Sequence, residues 1–280
     1  MRSMVALTMA FVAALAPPVA APAAETAPAA SSIFDPPLSV KRLALPRSRT
    51  APTDKNELSC FSFSEVRVKQ LDTGEVGAEL AILPLKPGAK PPACQKAKSA
   101  GEIVTPGREW SGYFKGVKGH YVLFDADDGV NGGLGFAVFD GHDGRKLFDD
   151  VAVGDIAAAQ VDAEGLTLRY RRAAAGECSV PKDGAACWAK IAAALPGIDP
   201  AAPPDCAAGY LKAKEAMARA RCEAQDDKSE PCFGRQMKLL DEQRWDEAPS
   251  VIGYDAEARI SAAAQTIWPT GGDLSCWPSD

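Results

Sequence analysis

Residues 110–150, which read WSGYFKGVKGHYVLFDADDGVNGGLGFAVFDGHDGRKLFDD, decide the fold of this 280-residue chain. Short runs rich in Val, Phe, Tyr and Leu alternate there with connections rich in Gly and Asp. The predicted strands cover residues 110–114, 121–125, 134–140 and 145–149, and the predicted turns cover residues 116–119, 128–133 and 141–144. Short strands separated by such turns are typical of an antiparallel β-meander.

The same pattern extends on both sides of this stretch. Residues 60–69 alternate between apolar and polar side chains, and residues 75–83 follow after a turn, which predicts a hairpin. Further strands are predicted over residues 166–172 and 251–260. We therefore expect a β-rich body over residues 58–175, in which the meander closes into a barrel or a sandwich.

The C-terminal third of the chain has a helical pattern instead. Residues 185–195 and 204–225 are rich in Ala, and apolar side chains recur at helical spacing in the second segment. Residues 229–231 supply a cap and a first-turn proline for a further helix that continues to Trp245. The last two helices predict a helical hairpin. The fold class is therefore α+β, with a helical subdomain over residues 176–248.

Both ends of the chain are interpreted from their composition. Residues 1–24 have a basic start, an apolar run and small residues at the end, which predicts a secretory signal peptide. Residues 25–57 contain many prolines among Ala, Ser and Thr, and predict a disordered linker. Residues 249–280 are interpreted as a return strand followed by a C-terminal tail.

The predicted signal peptide and the overall charge bear on location and partners. No later stretch approaches roughly 18 continuous apolar residues, so we predict no stable membrane span and a periplasmic or secreted protein. The composition, rich in Ala, Pro and Arg, is typical of a GC-rich bacterial genome. The formal net charge of −6, without a basic stripe, argues against nucleic acid as a partner.

Eight cysteines in an exported chain predict four disulfides. A structural zinc site held by cysteines is disfavoured, because no two cysteines have the C-x2-C spacing and neither histidine neighbours a cysteine. Cys178 is predicted to pair with Cys187, because the turn over residues 181–184 can bring their Cα atoms within bonding reach.

The remaining six cysteines are paired from helix geometry. Cys206 and Cys222 would lie about 24 Å apart along one continuous helix and cannot bond to each other. Cys222 is therefore paired with Cys232 across the loop over residues 226–229. Of the four cysteines left, we pair Cys206 with Cys276, which ties the C-terminal tail to the start of the helix, and Cys60 with Cys94 within the β-rich body.

An oxygen-rich segment between two predicted strands is a candidate calcium site. Its candidate ligands are Asp125, Asp127, Asp128 and Asn131. The helix-loop-helix calcium motif is excluded, because its glycine and bidentate glutamate positions are held by Val130 and Phe136. A non-helical calcium loop is one expectation, and a solvated turn is the alternative. No other cofactor is predicted.

Aromatic side chains cluster in one predicted hairpin and suggest a binding face. The candidate ligand-binding residues are Trp110, Tyr113 and Tyr121, next to two lysines. Flat amphipathic rings of this kind suit a glycan or a protein partner, because they give contact area at little cost in entropy. Inward packing in the β-rich body is the alternative interpretation.

The sequence contains no complete catalytic set. Its two histidines, His120 and His142, each follow a glycine in a predicted turn, and either imidazole is chemically able to act as a general base. No G-x-S-x-G sequence accompanies them, so we interpret both as surface turn residues. A carboxylate pair of the glycosidase kind is an alternative, drawn from Glu102, Glu109, Asp125 and Asp127.

These observations favour an exported, disulfide-stabilised envelope protein that acts as a non-catalytic binding or structural module. Its expected partner is another envelope protein or a glycan. One alternative is a periplasmic hydrolase that uses carboxylates and is supported by calcium. Another is an inhibitor or chaperone-like partner of a periplasmic enzyme, a role that the helical hairpin would serve.

Overall fold

The computed structural model describes residues 33–46, 56–86, 88–105, 107, 109–195 and 197–279. The predicted signal peptide lies outside these described residues, as do residues 25–32 and 47–55 of the predicted linker. Within the described residues the chain builds two antiparallel sheets and a group of three helices.

The smaller sheet has five strands in chain order, each antiparallel to the next. They are β1 (Ser39–Ala44), β2 (Glu57–Ser62), β3 (Val66–Asp72), β4 (Glu79–Pro84) and β5 (Ile103–Val104). Strands β2 to β4 contain the predicted hairpin.

The larger sheet has the strand order β13-β12-β11-β9-β8-β7-β6, and β10 pairs with β11 beside it. Its strands are β6 (Gly112–Lys118), β7 (Tyr121–Val130), β8 (Gly133–Asp140), β9 (Lys146–Ala152), β10 (Ala158–Asp162), β11 (Gly165–Ala175), β12 (Ser250–Ile260) and β13 (Gln265–Pro278). The meander predicted over residues 110–150 forms the adjacent strands β6 to β9 of this sheet.

The first four residues of β7 and most of β8 are buried on both faces, which explains why these parts of the two strands are nearly continuous apolar runs. One face packs against the smaller sheet, in a core that includes Phe63, Val68, Ile82, Val122, Phe124 and Phe139. The opposite face lies in a second core with Leu123, Phe136, Val138, Leu168, Tyr170 and Ile260. The sheets therefore pack face to face, and the larger sheet encloses a further core of its own.

Three helices lie between β11 and β12 in the chain: α1 (Val180–Ala194), α2 (Cys206–Ala224) and α3 (Glu230–Glu242). Ser229 caps α3 as predicted, because its side chain accepts a hydrogen bond from the Cys232 amide. Helix α1 begins five residues before the predicted segment and is broken at Gly184, whose φ is 59°. Trp188 and Tyr210 pack against Ile252 and Tyr254 of β12, so the helices are anchored on the larger sheet.

All four predicted disulfides are present. The Cα separations are 6.0 Å for Cys60–Cys94, 5.8 Å for Cys178–Cys187, 4.8 Å for Cys206–Cys276 and 6.0 Å for Cys222–Cys232. The last of these joins the end of α2 to the start of α3, as expected for a helical hairpin. The α+β class with antiparallel strands and a disulfide-bonded helical hairpin is thereby confirmed.

The prediction of a disordered linker over residues 25–57 is wrong for its described part. Strand β1 pairs with β2 from Ser39 opposite Ser62 to Ala44 opposite Glu57. The apolar residues that interrupt the proline-rich composition explain this order: Phe34 packs against the core of the larger sheet, and Leu45 packs against Leu58, Cys60 and Leu71.

The interpretation of the last residues as a tail is also corrected. The predicted return strand is β12, but the chain then turns back as the 14-residue strand β13 along the edge of the sheet. Its two prolines and its Gly271-Gly272 pair are tolerated there, because an edge strand has one side without ladder hydrogen bonds. Among the described residues, the helices are all too short or too polar to cross a membrane.

Candidate functional site

The histidines His120 and His142 meet at one end of the sheets, although they belong to different hairpins. His120 lies in the turn between β6 and β7, and His142 lies in the turn between β8 and β9. Alternate turns of an antiparallel meander fall at the same end, and β7 lies next to β8, with Tyr121 opposite Asp140. The topology therefore brings both histidines of the chain to one place.

The two turns are hydrogen-bonded directly to each other. The Gly141 amide donates to the His120 carbonyl over 2.8 Å. A Cβ atom at position 141 would lie 2.4 Å from that carbonyl oxygen, so the close approach requires glycine. The second turn is closed by the Asp140 amide, which donates to the Arg145 carbonyl over 2.9 Å. Both turns are thus fixed by backbone contacts, independently of the imidazoles.

The imidazole rings stack on each other. The ring centroids of His120 and His142 are 4.7 Å apart with an interplanar angle of 24°, and His120 also contacts the Tyr121 ring at 4.0 Å. The Asp140 carboxylate completes the group: one ligand atom from each of His120, Asp140 and His142 lies within 4.8 Å of the others. We call these three residues the histidine cluster.

The residues of the histidine cluster differ in their exposure. Asp140 is only 9% exposed, and its Oδ1 accepts a hydrogen bond from the His142 amide over 2.8 Å. His120 is half-buried, whereas His142 is exposed. The cluster therefore has two fixed groups at its base and one imidazole on the solvent side.

Burial is the main influence on the pKa of His120, and it lowers that pKa below the ordinary value. The carboxylates of Asp140 and Glu65 oppose this effect, while His142 adds to it. His120 is accordingly neutral at pH 7, so one ring nitrogen keeps a free electron pair. Burial and the nearby carboxylates of Asp140 and Asp162 raise the pKa of Tyr121.

The N-terminal residues 33–38, which we call the strap, hold the turn that carries His120. The Asp35 carboxylate accepts a hydrogen bond from the Gly119 amide over 2.7 Å and pairs with the Lys118 ammonium at 3.0 Å. The Asp35 amide donates to the Val117 carbonyl over 2.8 Å. The Phe34 ring packs directly on Gly116. A Cβ atom at position 116 would lie only 2.4 Å from this ring, so the contact requires glycine there.

The predicted calcium loop is corrected in its conformation, because most of it is strand. Strand β7 continues to Val130, and the turn consists of Asn131 and Gly132, with φ values of 53° and 71°. The predicted ligand Asp125 pairs with the Lys115 ammonium at 2.8 Å. Calcium binding by these residues itself stays a prediction.

The other two predicted carboxylate ligands are also engaged. Asp127 accepts a hydrogen bond from the Ser111 hydroxyl over 2.7 Å, and Asp128 accepts one from the Gly129 amide over 2.7 Å. Among the described residues, Asp125, Asp127 and Asp128 do not form a group whose oxygens lie within 4.8 Å of one another.

The predicted aromatic face is corrected as well. Tyr121 is 4% exposed and belongs to the core of the larger sheet, so its ring is not on the surface. The half-buried Trp110 donates from its indole nitrogen to the Asp125 carbonyl over 3.2 Å. The hydroxyl of Tyr113, also half-buried, accepts a hydrogen bond from the Gly77 amide over 3.2 Å. Ligand binding by Trp110 and Tyr113 stays a prediction.

A groove of about 690 Å³ lies on the helical subdomain, lined by α1, the start of α2 and the proline-rich connection between them. Trp188, Pro200 and Pro204 are among its lining residues, whereas Asp125, Asp127 and Trp110 are not. The groove is therefore separate from both the predicted calcium segment and the predicted aromatic face.

A buried ion pair on the larger sheet fixes three strands. The Arg172 guanidinium donates to both oxygens of Asp150, at 3.0 and 2.7 Å, and to the Tyr254 hydroxyl at 2.7 Å. The Tyr170 hydroxyl donates to the same carboxylate. Burial and the Asp150 charge raise the pKa of Tyr170 far above its ordinary value. Every charged group of this network has a partner, which indicates a structural role.

The sequence interpretation of His120 and His142 as separate surface turn residues missed their contact. The signal that identifies this contact is the order of the turns, since a glycine-histidine pair occurs in two alternate turns of one meander.

No protein-family model matches the chain, no curated protein matches its sequence, and no solved structure matches it.

Proposed function

We propose that the chain is an exported, disulfide-stabilised protein of the bacterial envelope that binds a ligand at the histidine cluster without transforming it. The observation that carries this proposal is the convergence of His120, Asp140 and His142 from two hairpins on one partly exposed site. Polar side chains that are held by rigid turns at the end of a sheet are typical of binding sites.

The disulfides support the export part of this proposal. All eight cysteines are bonded in four pairs, and disulfides persist in oxidising compartments such as the periplasm. The predicted signal peptide over residues 1–24 agrees with the same location.

The hydrolase alternative is less well supported by the contacts of its carboxylates. An acid and base pair of the glycosidase kind needs two carboxyl groups that face one substrate bond. Asp125 is instead paired with Lys115, and Asp127 is bonded to Ser111. Of the other two candidates, Glu102 is 6% exposed and paired with Lys69 beneath a loop, so it does not face a cleft with either aspartate.

Native mass spectrometry of protein purified from the periplasm tests both parts of the proposal. The expected mass is that of residues 25–280 with four disulfides, plus a bound ligand. The ligand mass should be lost on replacing His120→Ala and His142→Ala together. An intact signal peptide would contradict export. The absence of a bound ligand from the wild type, or the same added mass in both proteins, would contradict binding at the cluster.

A further inference from the structure

We infer that the histidine cluster binds a divalent transition-metal ion of the zinc type through His120, Asp140 and His142. This inference rests on the proposed function, because it names the ligand of the same site. It also specifies the chemical class of that ligand, a divalent metal ion.

The donor set matches such an ion. Two imidazole nitrogens and one carboxylate oxygen are ligands that zinc and its neighbours in the periodic table take in proteins. Calcium and magnesium prefer sets made of oxygen atoms only. The cluster offers two nitrogens against one oxygen, which favours zinc over either hard cation.

The geometry is close to that of a loaded site. Ligand atoms about 2.0 to 2.2 Å from a tetrahedral ion lie about 3.4 Å apart, and here one atom of each residue lies within 4.8 Å of the others. The difference is small enough for side-chain rotation. His142 is the exposed member, and its ring can turn once it leaves the stack with His120, whereas Asp140 is held by the His142 amide and His120 by the Tyr121 ring.

Three protein ligands leave one coordination position for water or for a group from another molecule. Because His142 is exposed, such a position would be accessible from solvent. Disulfides in all three parts of the fold already stabilise the chain without an ion. The bound metal is therefore exchangeable and is not needed for folding.

The test is a zinc titration of the mature, disulfide-bonded protein without a histidine tag. Isothermal calorimetry should show one Zn²⁺ per chain with a dissociation constant of about 10 μM or tighter. His120→Ala and His142→Ala should each weaken binding at least about 100-fold, and Asp140→Asn about 10-fold or more. Asp143→Asn is the matched control, because Asp143 lies in the same turn and its carboxylate is bonded to Arg145 and is not part of the cluster. Its affinity should stay within about twofold of the wild type.

A second measurement needs no variant, so a folding defect cannot confuse it. Since the chain has two histidines, zinc should shift the side-chain NMR signals of both imidazoles in parallel. Unshifted imidazole signals, or equal zinc affinity in wild type and His120→Ala, would overturn the inference. An organic ligand found by native mass spectrometry, together with no zinc binding, would overturn it and leave the proposed function standing.

Discussion

Asp35 holds the turn that carries His120. It bonds to the Gly119 amide and the Lys118 ammonium, and it lies 84 residues before Gly119 in the chain. The histidine itself is held by a ring contact and by the backbone of its turn. Asp35 does not contact the ligand itself, but it holds the turn that carries His120, which does. Asp35 is therefore a positioning residue.

Replacing Asp35→Ala should weaken zinc binding about tenfold, because the turn that carries His120 loses its carboxylate partner. The loss of stability should be only about 1 kcal/mol, since the Asp35 side chain is 40% exposed. Calorimetric zinc titration and thermal unfolding measure the two effects. The matched control is Asp72→Ala, because Asp72 accepts from Gly74 in a turn that carries no site residue. Equal loss of affinity in both variants would refute the positioning role.

At the scale of elements, the ion pair between Asp150 and Arg172 joins β9 to β11, and the Tyr254 hydroxyl extends it to β12. The Asp150 side chain is 8% exposed, so its charge depends on the guanidinium for stabilisation. Strand β11 pairs with β9 at only one residue position, Arg172 opposite Ala152. The side-chain network therefore adds a second connection between these two strands.

Asp150→Leu and Arg172→Met should each lower the free energy of unfolding by about 3 kcal/mol or more, because each leaves an unpaired buried charge. The double variant should lose clearly less than the sum of the two, since it removes both charges. Urea unfolding of the four proteins gives the coupling energy. Additive losses would mean that Asp150 and Arg172 have no coupling energy, which would contradict the prediction.

The sequence predicts those elements whose signals are local. The strands of the meander, the cap of α3 and the disulfide Cys222–Cys232 follow from turn residues and helix geometry within short windows. Strand β1 could not be predicted in this way, because its composition resembles a linker and its order comes from pairing with β2. To predict the histidine cluster, the order of the turns along the meander had to be considered together with the residues themselves.

At the scale of the whole molecule, three buried tyrosines lie where separate elements meet. Tyr170 and Tyr254 belong to the ion-pair network, and the Tyr210 hydroxyl of α2 donates to the Ala248 carbonyl over 2.7 Å beside β12. Burial raises the pKa of each of these hydroxyls. All three therefore release their protons more readily in the unfolded chain than in the folded one.

The folded-state pKa of each tyrosine lies above its unfolded value of about 10. The stability that each tyrosine contributes is therefore fully present below pH 10 and is lost as the pH rises toward the folded-state pKa. Above pH 10, and up to the folded-state pKa of each tyrosine, the free energy of unfolding should fall by up to about 1.4 kcal/mol per pH unit for each tyrosine. Urea unfolding at a series of pH values measures the slope, and Tyr254→Phe should reduce it by one tyrosine's share. Ionisation of all three near pH 10 by ultraviolet absorbance, with native circular dichroism, would contradict the prediction.

The strap also sets an order of events during folding. His120 and His142 lie within one meander of short hairpins, so their rings can meet as soon as β6 to β9 form, at little cost in loop entropy. The contact of Asp35 with Gly119 closes a loop of 84 residues, which costs more loop entropy than the hairpins do. In a chain made from its N-terminus, the strap can therefore dock on the turn of His120 only after residues 117–119 have been synthesised.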